Sequence, residues 1–244
     1  MTGRKIQRLI ISFLILPGLF SLGTGSMAGN SSAQSGLEDL PLVEVRGHAA
    51  ERDVLAVHIT GDGGWGVTDR GLSADLAANG IPVVALNALK YFWTRRTPET
   101  AAVDLGRILT HYLSAWGKKK VVLIGYSLGA DVLPFMLNRL PEDLQAAVGT
   151  AVFLGPSGSV EFEFHVLDWL GRSPGKNALP VVPEIERIRE SILLLCVYGE
   201  KDETHICGKL DARRTRSIAL PTGHRVGGNF TPITAAILAA LNER

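Results

Sequence analysis

The most constraining feature of the sequence is a Gly-X-Ser-X-Gly motif at Gly125 to Gly129. It follows a strand-length apolar run, Val121 to Ile124, and leads directly into a segment with helical apolar spacing. This order predicts a strand, a sharp turn and a helix. A serine hydroxyl is a weak nucleophile, so Ser127 would have to project from the turn toward a base. The alternative is a tight turn in which Ser127 only caps the helix.

Length and composition fit one compact α/β domain. The chain has 244 residues, of which 46% are hydrophobic and 20% charged. Its net charge of +1 lacks the basic excess of a nucleic-acid-binding protein, so we expect no nucleic-acid partner.

The first 28 residues have the pattern of a cleaved secretory signal peptide. Three basic residues precede an apolar run from Leu9 to Leu22, and Ser26-Met27-Ala28 places small residues where signal peptidase reads them. The run is shorter than the ~20 residues of a spanning helix, so a retained membrane anchor is the weaker alternative. The sequence therefore predicts export to the periplasm, a flexible leader at residues 29–40 and a folded domain at 41–244.

The chain contains two cysteines, Cys196 and Cys207. Because export places them in an oxidising compartment, we expect a disulfide between them. Two buried free thiols are the alternative, since Cys196 lies within an apolar strand.

Strand-length apolar runs alternate with helical segments along the domain, which predicts a mostly parallel sheet with helices on both faces. The predicted strands are Val54 to Ile59, Val83 to Leu86, the run before Gly125, Ala147 to Leu154, Ile192 to Tyr198 and Arg216 to Leu220. Residues 155–190 interrupt this alternation, and we interpret them as a small cap insertion. The pattern is that of an α/β-hydrolase fold, whose sites lie beyond the carboxyl ends of the strands.

In that fold the acid and then the histidine follow the serine in the chain. Two of the six histidines, His205 and His224, come late enough, and His224 is preferred because it lies between the last strand and the last helix. Asp202 follows the strand that ends at Tyr198 and is the preferred acid. Glu200 and Glu203 are close enough to remain alternatives.

Two further segments follow strand ends. The glycine-rich loop Thr60 to Trp65 suits an oxyanion donor, whereas a phosphate-binding loop would need a different glycine spacing, so no cofactor is expected. The aromatic residues Tyr91, Phe92 and Trp93 could line a substrate cleft or contact lipid, or they could pack beneath a loop.

Several motifs together resemble the bacterial virulence protein VirJ and its relative AcvB. They are Gly61-Asp62-Gly63-Gly64-Trp65, Lys90-Tyr91-Phe92-Trp93, Thr97-Pro98-Glu99, Gly125 to Pro134, Asn138-Arg139-Leu140-Pro141 and Glu161-Phe162-Glu163-Phe164-His165. This resemblance extends to the loop between the cysteines. The family is periplasmic, has the α/β-hydrolase fold and is associated with type IV secretion. It includes enzymes that remove lysine from lysyl-phosphatidylglycerol.

The resemblance implies a Ser127, Asp202, His224 triad. It also implies that Leu128 and a residue of the Asp62-Gly63 segment donate to the oxyanion. Hydrolase oxyanion loops commonly carry His-Gly where this sequence has Thr60-Gly61. Larger family members carry an additional amino-terminal region, which we do not expect in this chain.

An aminoacylated phospholipid substrate would need carboxylates for its ammonium groups, for which Asp62, Glu161 and Glu163 are candidates. Tyr91 and Trp93 are the candidate lipid contacts. A different esterase or lipase, or an adaptor that binds type IV secretion components, remains possible on the sequence.

Overall fold

Strands and helices alternate along the computed structural model, which describes residues 36–47, 50–163 and 178–243. The strands are β1 (Leu42–Val45), β2 (Val54–Ile59), β3 (Val83–Leu86), β4 (Lys120–Tyr126), β5 (Val148–Leu154), β6 (Ser159–Val160), β7 (Leu179–Pro180), β8 (Leu193–Gly199) and β9 (Thr215–Leu220). The helices are α1 (Val67–Ala78), α2 (Ala88–Tyr91), α3 (Pro98–Ala115), α4 (Leu128–Asn138), α5 (Glu142–Ala147), α6 (Val182–Glu186) and α7 (Thr231–Asn242).

Seven of these strands form one sheet in the order β1-β3-β2-β4-β5-β8-β9. The edge strand β1 runs antiparallel to β3, and every other neighbouring pair is parallel. The predicted mostly parallel sheet is confirmed. Because parallel strands end at the same edge, the loops after β2, β4, β5, β8 and β9 meet there.

The core lies in two layers, one on each face of the sheet. Along β4, Val121 and Leu123 pack into one layer, and Val122 and Ile124 pack into the other. Helices α3 and α4 cover the first face, and α1 and α7 cover the second. Since side chains of a strand alternate between faces, an all-apolar strand is what a sheet buried on both sides requires.

The predicted flexible leader is wrong for residues 36–40. Leu37 and Leu40 are buried in the core, and the Arg107 guanidinium donates to the Asp39 carboxylate at 2.7 Å. The burial of two leucines explains why this segment packs against the domain. Residues 29–35 and the predicted signal peptide at 1–28 lie outside the described residues. Among those that are described, no helix is long and apolar enough to cross a membrane.

The predicted insertion at 155–190 is described at both its ends. The short strands β6 and β7 pair antiparallel, and Phe162 packs edge-on against Phe92 and Phe135 with ring centroids 5.7 and 5.6 Å apart. The start of the insertion is therefore anchored on the domain. Residues 164–177 are outside the described part of the chain, so their role as a cap stays a prediction.

Candidate active site

Ser127 lies at the sharp turn between β4 and α4. Its φ of 50° makes it the one non-glycine residue with positive φ in the described ranges, which marks a strained backbone. The Ser127 N–H donates to the carbonyl of Leu154 on the neighbouring strand at 2.9 Å. The predicted strand, turn and helix are confirmed.

The glycines of the motif permit close backbone packing. A Cβ on Gly129 would overlap the carbonyl of Ile59, and a Cβ on Gly125 would overlap the carbonyl of Gly129. Helix α4 can therefore start directly against the end of β2. This approach fixes the direction in which the Ser127 side chain points.

The structure brings the three predicted triad residues together. Nε2 of His224 lies 3.0 Å from Oγ of Ser127, and Nδ1 of His224 lies 2.7 Å from Oδ2 of Asp202. Both distances allow hydrogen bonds. The Asp202 side chain is 3% exposed whereas that of His224 is 42% exposed, so the base is accessible while its partner is shielded. A serine, a base and an orienting acid in this order can perform acyl transfer.

Asp202 is held as a carboxylate by its surroundings. Burial raises its pKa, but hydrogen bonds from Thr204 and His224 outweigh burial and lower the pKa below its usual value. Thr204 donates through its hydroxyl at 2.6 Å and through its backbone N–H at 3.0 Å, both to Oδ1. Oδ2 is thereby left to accept from the imidazole, which sets the tautomer with Nε2 toward Ser127.

The other candidates for the base and the acid have different surroundings. His205 stacks on Tyr198 with ring centroids 3.9 Å apart, whereas Glu200 and Glu203 are exposed to solvent. The geometry therefore selects His224 and Asp202 as the partners of Ser127.

The acid loop is tied down on both sides. The predicted disulfide joins Cys196 on β8 to Cys207, with Cα atoms 5.6 Å apart. The Ile206 N–H donates to the carbonyl of Pro156 in the loop after β5 at 3.1 Å. Asp202 thus lies in a segment closed by a covalent bond and anchored to a neighbouring loop.

The glycine-rich loop after β2 lies beside the nucleophile. A Cβ built on Gly61 would be 3.5 Å from Cβ of Ser127 and 3.1 Å from the Tyr126 ring. This loop, Tyr126 and Arg225 line a cavity of about 280 Å³. Asp62 and Gly63 belong to its lining, and Leu128 begins α4 on the other side of Ser127. The predicted oxyanion residues therefore flank Ser127, although their donor role stays a prediction.

The prediction that Tyr91 contacts substrate or lipid is wrong. Tyr91 and Phe92 are 1% and 0% exposed, and the Tyr91 hydroxyl donates to Asp104 at 2.6 Å. Both side chains belong to the hydrophobic core. Trp93, by contrast, is 63% exposed.

The two predicted carboxylates of the insertion lie in another cavity. Glu161 and Glu163 line a space of about 400 Å³ together with Arg95 and Arg96. Oε2 of Glu163 is 3.9 Å from Nε of Arg95. The cavity thus contains charges of both signs.

A buried carboxylate close in the chain to Ser127 was not identified by the sequence analysis. Asp131, one helical turn after Ser127, accepts from the Ser157 N–H at 2.6 Å and from the Ser157 hydroxyl at 2.7 Å. Burial raises the pKa of Asp131 to about 7, against the effect of these bonds. A single carboxylate in an apolar helix was the signal that could have revealed it.

In the described ranges no group of three His, Cys, Asp or Glu side chains could hold a metal ion.

A family model described as bacterial virulence protein (VirJ) matches residues 53–244. That range contains the glycine-rich loop, Ser127, Asp202 and His224. The chain belongs to the VirJ family. No curated protein matches it.

Solved structures similar to this VirJ-family chain are α/β-hydrolases. An esterase of Pyrococcus furiosus has a TM-score of 0.58 at 14% identity, covering 84% of this chain and 92% of that one. A lidless α/β serine hydrolase of Xanthomonas campestris has a TM-score of 0.52 at 14% identity, covering 83% and 88%. A carboxylesterase of Bacillus subtilis has a TM-score of 0.53 at 13% identity, covering 82% and 86%. The α/β-hydrolase fold is therefore established.

Proposed function

We propose that this VirJ-family protein is a periplasmic serine esterase that hydrolyses the aminoacyl ester of lysyl-phosphatidylglycerol. The observation that carries the esterase activity is the hydrogen-bonded series Ser127, His224, Asp202. The choice of substrate comes from the family. The disulfide is compatible with an exported protein.

In the first half-reaction Oγ of Ser127 attacks the lysyl carbonyl carbon while Nε2 of His224 takes the hydroxyl proton. Asp202 stabilises the resulting imidazolium through Nδ1. Backbone N–H groups beside Ser127 stabilise the oxyanion, for which Leu128 and the Asp62-Gly63 segment are the proposed donors. The carbon–oxygen bond to the headgroup glycerol then breaks, and His224 protonates the departing alcohol.

In the second half-reaction water replaces the alcohol. His224 takes a proton from the water while the water oxygen attacks the carbonyl carbon of the lysyl-serine ester. His224 then returns a proton to Oγ of Ser127 as that ester breaks. The products are lysine and phosphatidylglycerol. The exposure of His224 gives water direct access to the base.

The lysyl group carries two ammonium groups, which require compensation by carboxylates in a partly dry site. Asp62 lines the cavity that adjoins Tyr126 and Arg225, the chain neighbours of Ser127 and His224. Asp62 is accordingly the proposed ammonium contact. Glu161 and Glu163 line a separate cavity, whose described lining includes no chain neighbour of Ser127 or His224, so we assign them a smaller part in cation binding.

Two exposed apolar side chains suit contact with a lipid surface. Val67 is 75% exposed and lies at the start of α1, directly after the glycine-rich loop, and Trp93 is 63% exposed. Tryptophan favours the membrane–water interface because its ring is apolar and its N–H is polar. These side chains are proposed to hold the domain at the bilayer that presents the headgroup.

The test supplies the purified protein with vesicles containing lysyl-phosphatidylglycerol and measures both free lysine and free fatty acid. Lysine release without fatty-acid release is expected. Asp62→Asn should reduce lysine release more than it reduces hydrolysis of p-nitrophenyl acetate, and Glu163→Gln, the matched acid-to-amide control, should reduce it less. Fatty-acid release instead of lysine release would support a lipase and contradict the proposed substrate.

If neither lysine nor fatty acid is released and p-nitrophenyl acetate is not hydrolysed, the esterase activity itself is contradicted. That result would favour the adaptor that binds type IV secretion components.

A further inference from the structure

A buried carboxylate, Asp69, lies beneath the glycine-rich loop. It belongs to the first turn of α1 and is 2% exposed. Its Oδ2 accepts the N–H of Gly66 at 3.1 Å, and its Oδ1 lies 3.4 Å from Nε2 of His58 on β2. His58 is itself 0% exposed, and its Nδ1 lies 3.3 Å from the hydroxyl of Ser73.

Asp69 holds the end of the loop that adjoins α1. Gly66, whose N–H it accepts, is the last residue before α1, and Gly61 is the first residue of the loop after Thr60. Burial raises the pKa of the Asp69 carboxyl to about 6, and backbone N–H groups, including those of Gly66 and Gly61, oppose that rise. The Asp69 carboxylate therefore holds the α1 end of a loop that has few side chains of its own to hold it.

Helix capping accounts for only part of this arrangement. An acid in the first turn of a helix commonly accepts the N–H of the capping residue, as Asp69 does with Gly66. Such acids are usually at the surface, because burial of a carboxylate is unfavourable without compensation. Here the second oxygen lies 3.4 Å from Nε2 of a fully buried imidazole and forms no hydrogen bond within the described residues, and burial lowers the His58 pKa to about 4.

The loop that Asp69 holds is the one beside the nucleophile. A Cβ built on Gly61 would lie 3.5 Å from Cβ of Ser127, so the backbone of the loop passes close to the residue that carries the reacting hydroxyl. Oxyanion donors act only when their positions are fixed before the reaction. A glycine loop needs external contacts for that rigidity, since glycine restricts the backbone least.

We propose that Asp69, supported by His58, is a positioning residue that fixes the oxyanion loop Gly61–Gly66 for the attack of Ser127. The inference rests on the proposed esterase activity for its kinetic consequence. Its structural part, the fixing of the loop, can be measured without any substrate.

The experiment compares Asp69→Ala and Asp69→Asn with Asp104→Asn in the full chain. Asp104 is the matched control because it is also a mostly buried helical aspartate, bonded to Tyr91 and Arg107 instead of the loop. Two quantities are measured: hydrogen exchange of the loop amides, and kcat and KM for p-nitrophenyl acetate.

In Asp69→Ala we expect loop amides to exchange at least about tenfold faster and kcat to fall about 10- to 100-fold, with KM changed less than about twofold. Asp69→Asn retains the side-chain shape and an acceptor oxygen, so it should fold even if the alanine variant does not and should show smaller changes of the same kind. His58→Gln should also lower kcat. Asp104→Asn should leave both quantities near the wild-type values.

Loop exchange and kcat in both Asp69 variants equal to those of Asp104→Asn would overturn the proposal. If kcat falls equally in the Asp69 variants and in Asp104→Asn, the role of Asp69 is structural and not specific to the loop. If the wild-type protein hydrolyses no ester, the proposed function fails, and the exchange of the loop amides alone decides whether Asp69 holds the loop.

Discussion

Gly199, at the end of β8, lies directly against the backbone carbonyl of Gly223, the residue before His224. A Cβ on Gly199 would overlap that carbonyl and would approach the Thr222 carbonyl to 2.5 Å. The Lys201 N–H also donates to the Thr222 carbonyl at 3.0 Å. The loops that carry the acid and the base are therefore packed backbone to backbone, which sets the distance between Asp202 and His224.

Substitution Gly199→Ala should displace the histidine loop. Because the nearest atoms that the new methyl would meet all belong to the backbone of Thr222 and Gly223, the loop has to move, and a shift of about 1 Å can lower kcat about 100-fold. Steady-state hydrolysis of p-nitrophenyl acetate measures the effect. Gly149→Ala on β5 is the control, since a Cβ there meets nothing within 4 Å. Equal activity in the two variants would show that the packing of the two loops is not required.

The disulfide should contribute measurably to stability. Cys196 and Cys207 close a loop with a sequence separation of 11, for which loop entropy gives about 2–3 kcal/mol. The double variant Cys196→Ala/Cys207→Ala should therefore unfold at lower urea concentration, and kcat should fall because the acid loop loses its constraint. Reduction of the wild-type protein should reproduce both changes but leave the double variant unaffected. A wild-type protein insensitive to reduction would contradict this role.

Much of the fold follows from local patterns. Strands β2 and β3 match their predicted bounds because a strand buried on both faces is a continuous apolar run. Edge strand β1, with the sequence Leu-Val-Glu-Val, was not predicted. Four residues give no local indication that they pair antiparallel with β3, since that pairing depends on a segment distant in the chain.

The candidate site shows the same limit. Motif and chain order led to Ser127, Asp202 and His224, which the structure places together. Tyr91 was misjudged because an aromatic residue after a strand has the same local pattern whether it lines a cleft or packs inside the core. Asp69 was missed because an acid in the first turn of a helix looks like an ordinary cap, and its contact with His58 exists only in three dimensions.

Asp131 should make stability depend on pH. Its pKa is about 7 in the folded protein and about 4 when unfolded, so the folded state binds the proton more tightly. The resulting stabilisation is complete below about pH 4 and is lost as pH rises through 7. Relative to Asp131→Asn, the wild-type free energy of unfolding should therefore decrease between pH 4 and 7, on the order of 2–4 kcal/mol.

Urea unfolding at several pH values measures this difference. Asp143→Asn, an exposed carboxylate on α5, is the control and should follow the wild-type curve. A constant difference between wild type and Asp131→Asn across this pH range would contradict the raised pKa of Asp131.

The most direct test of the account is covalent labelling of the purified protein by a fluorophosphonate, followed by intact-mass and peptide analysis. Oγ of Ser127 should form a bond to phosphorus with loss of fluoride, giving one adduct per chain on the peptide that contains Ser127. Ser127→Ala should give none, and His224→Ala should react at least about 100-fold more slowly because the base is missing. Ser191→Ala, an exposed serine before the amino end of β8, should react like the wild type. Absence of an adduct in the folded wild-type protein, or an equal rate of labelling in Ser127→Ala, would contradict the assignment of Ser127 as the nucleophile.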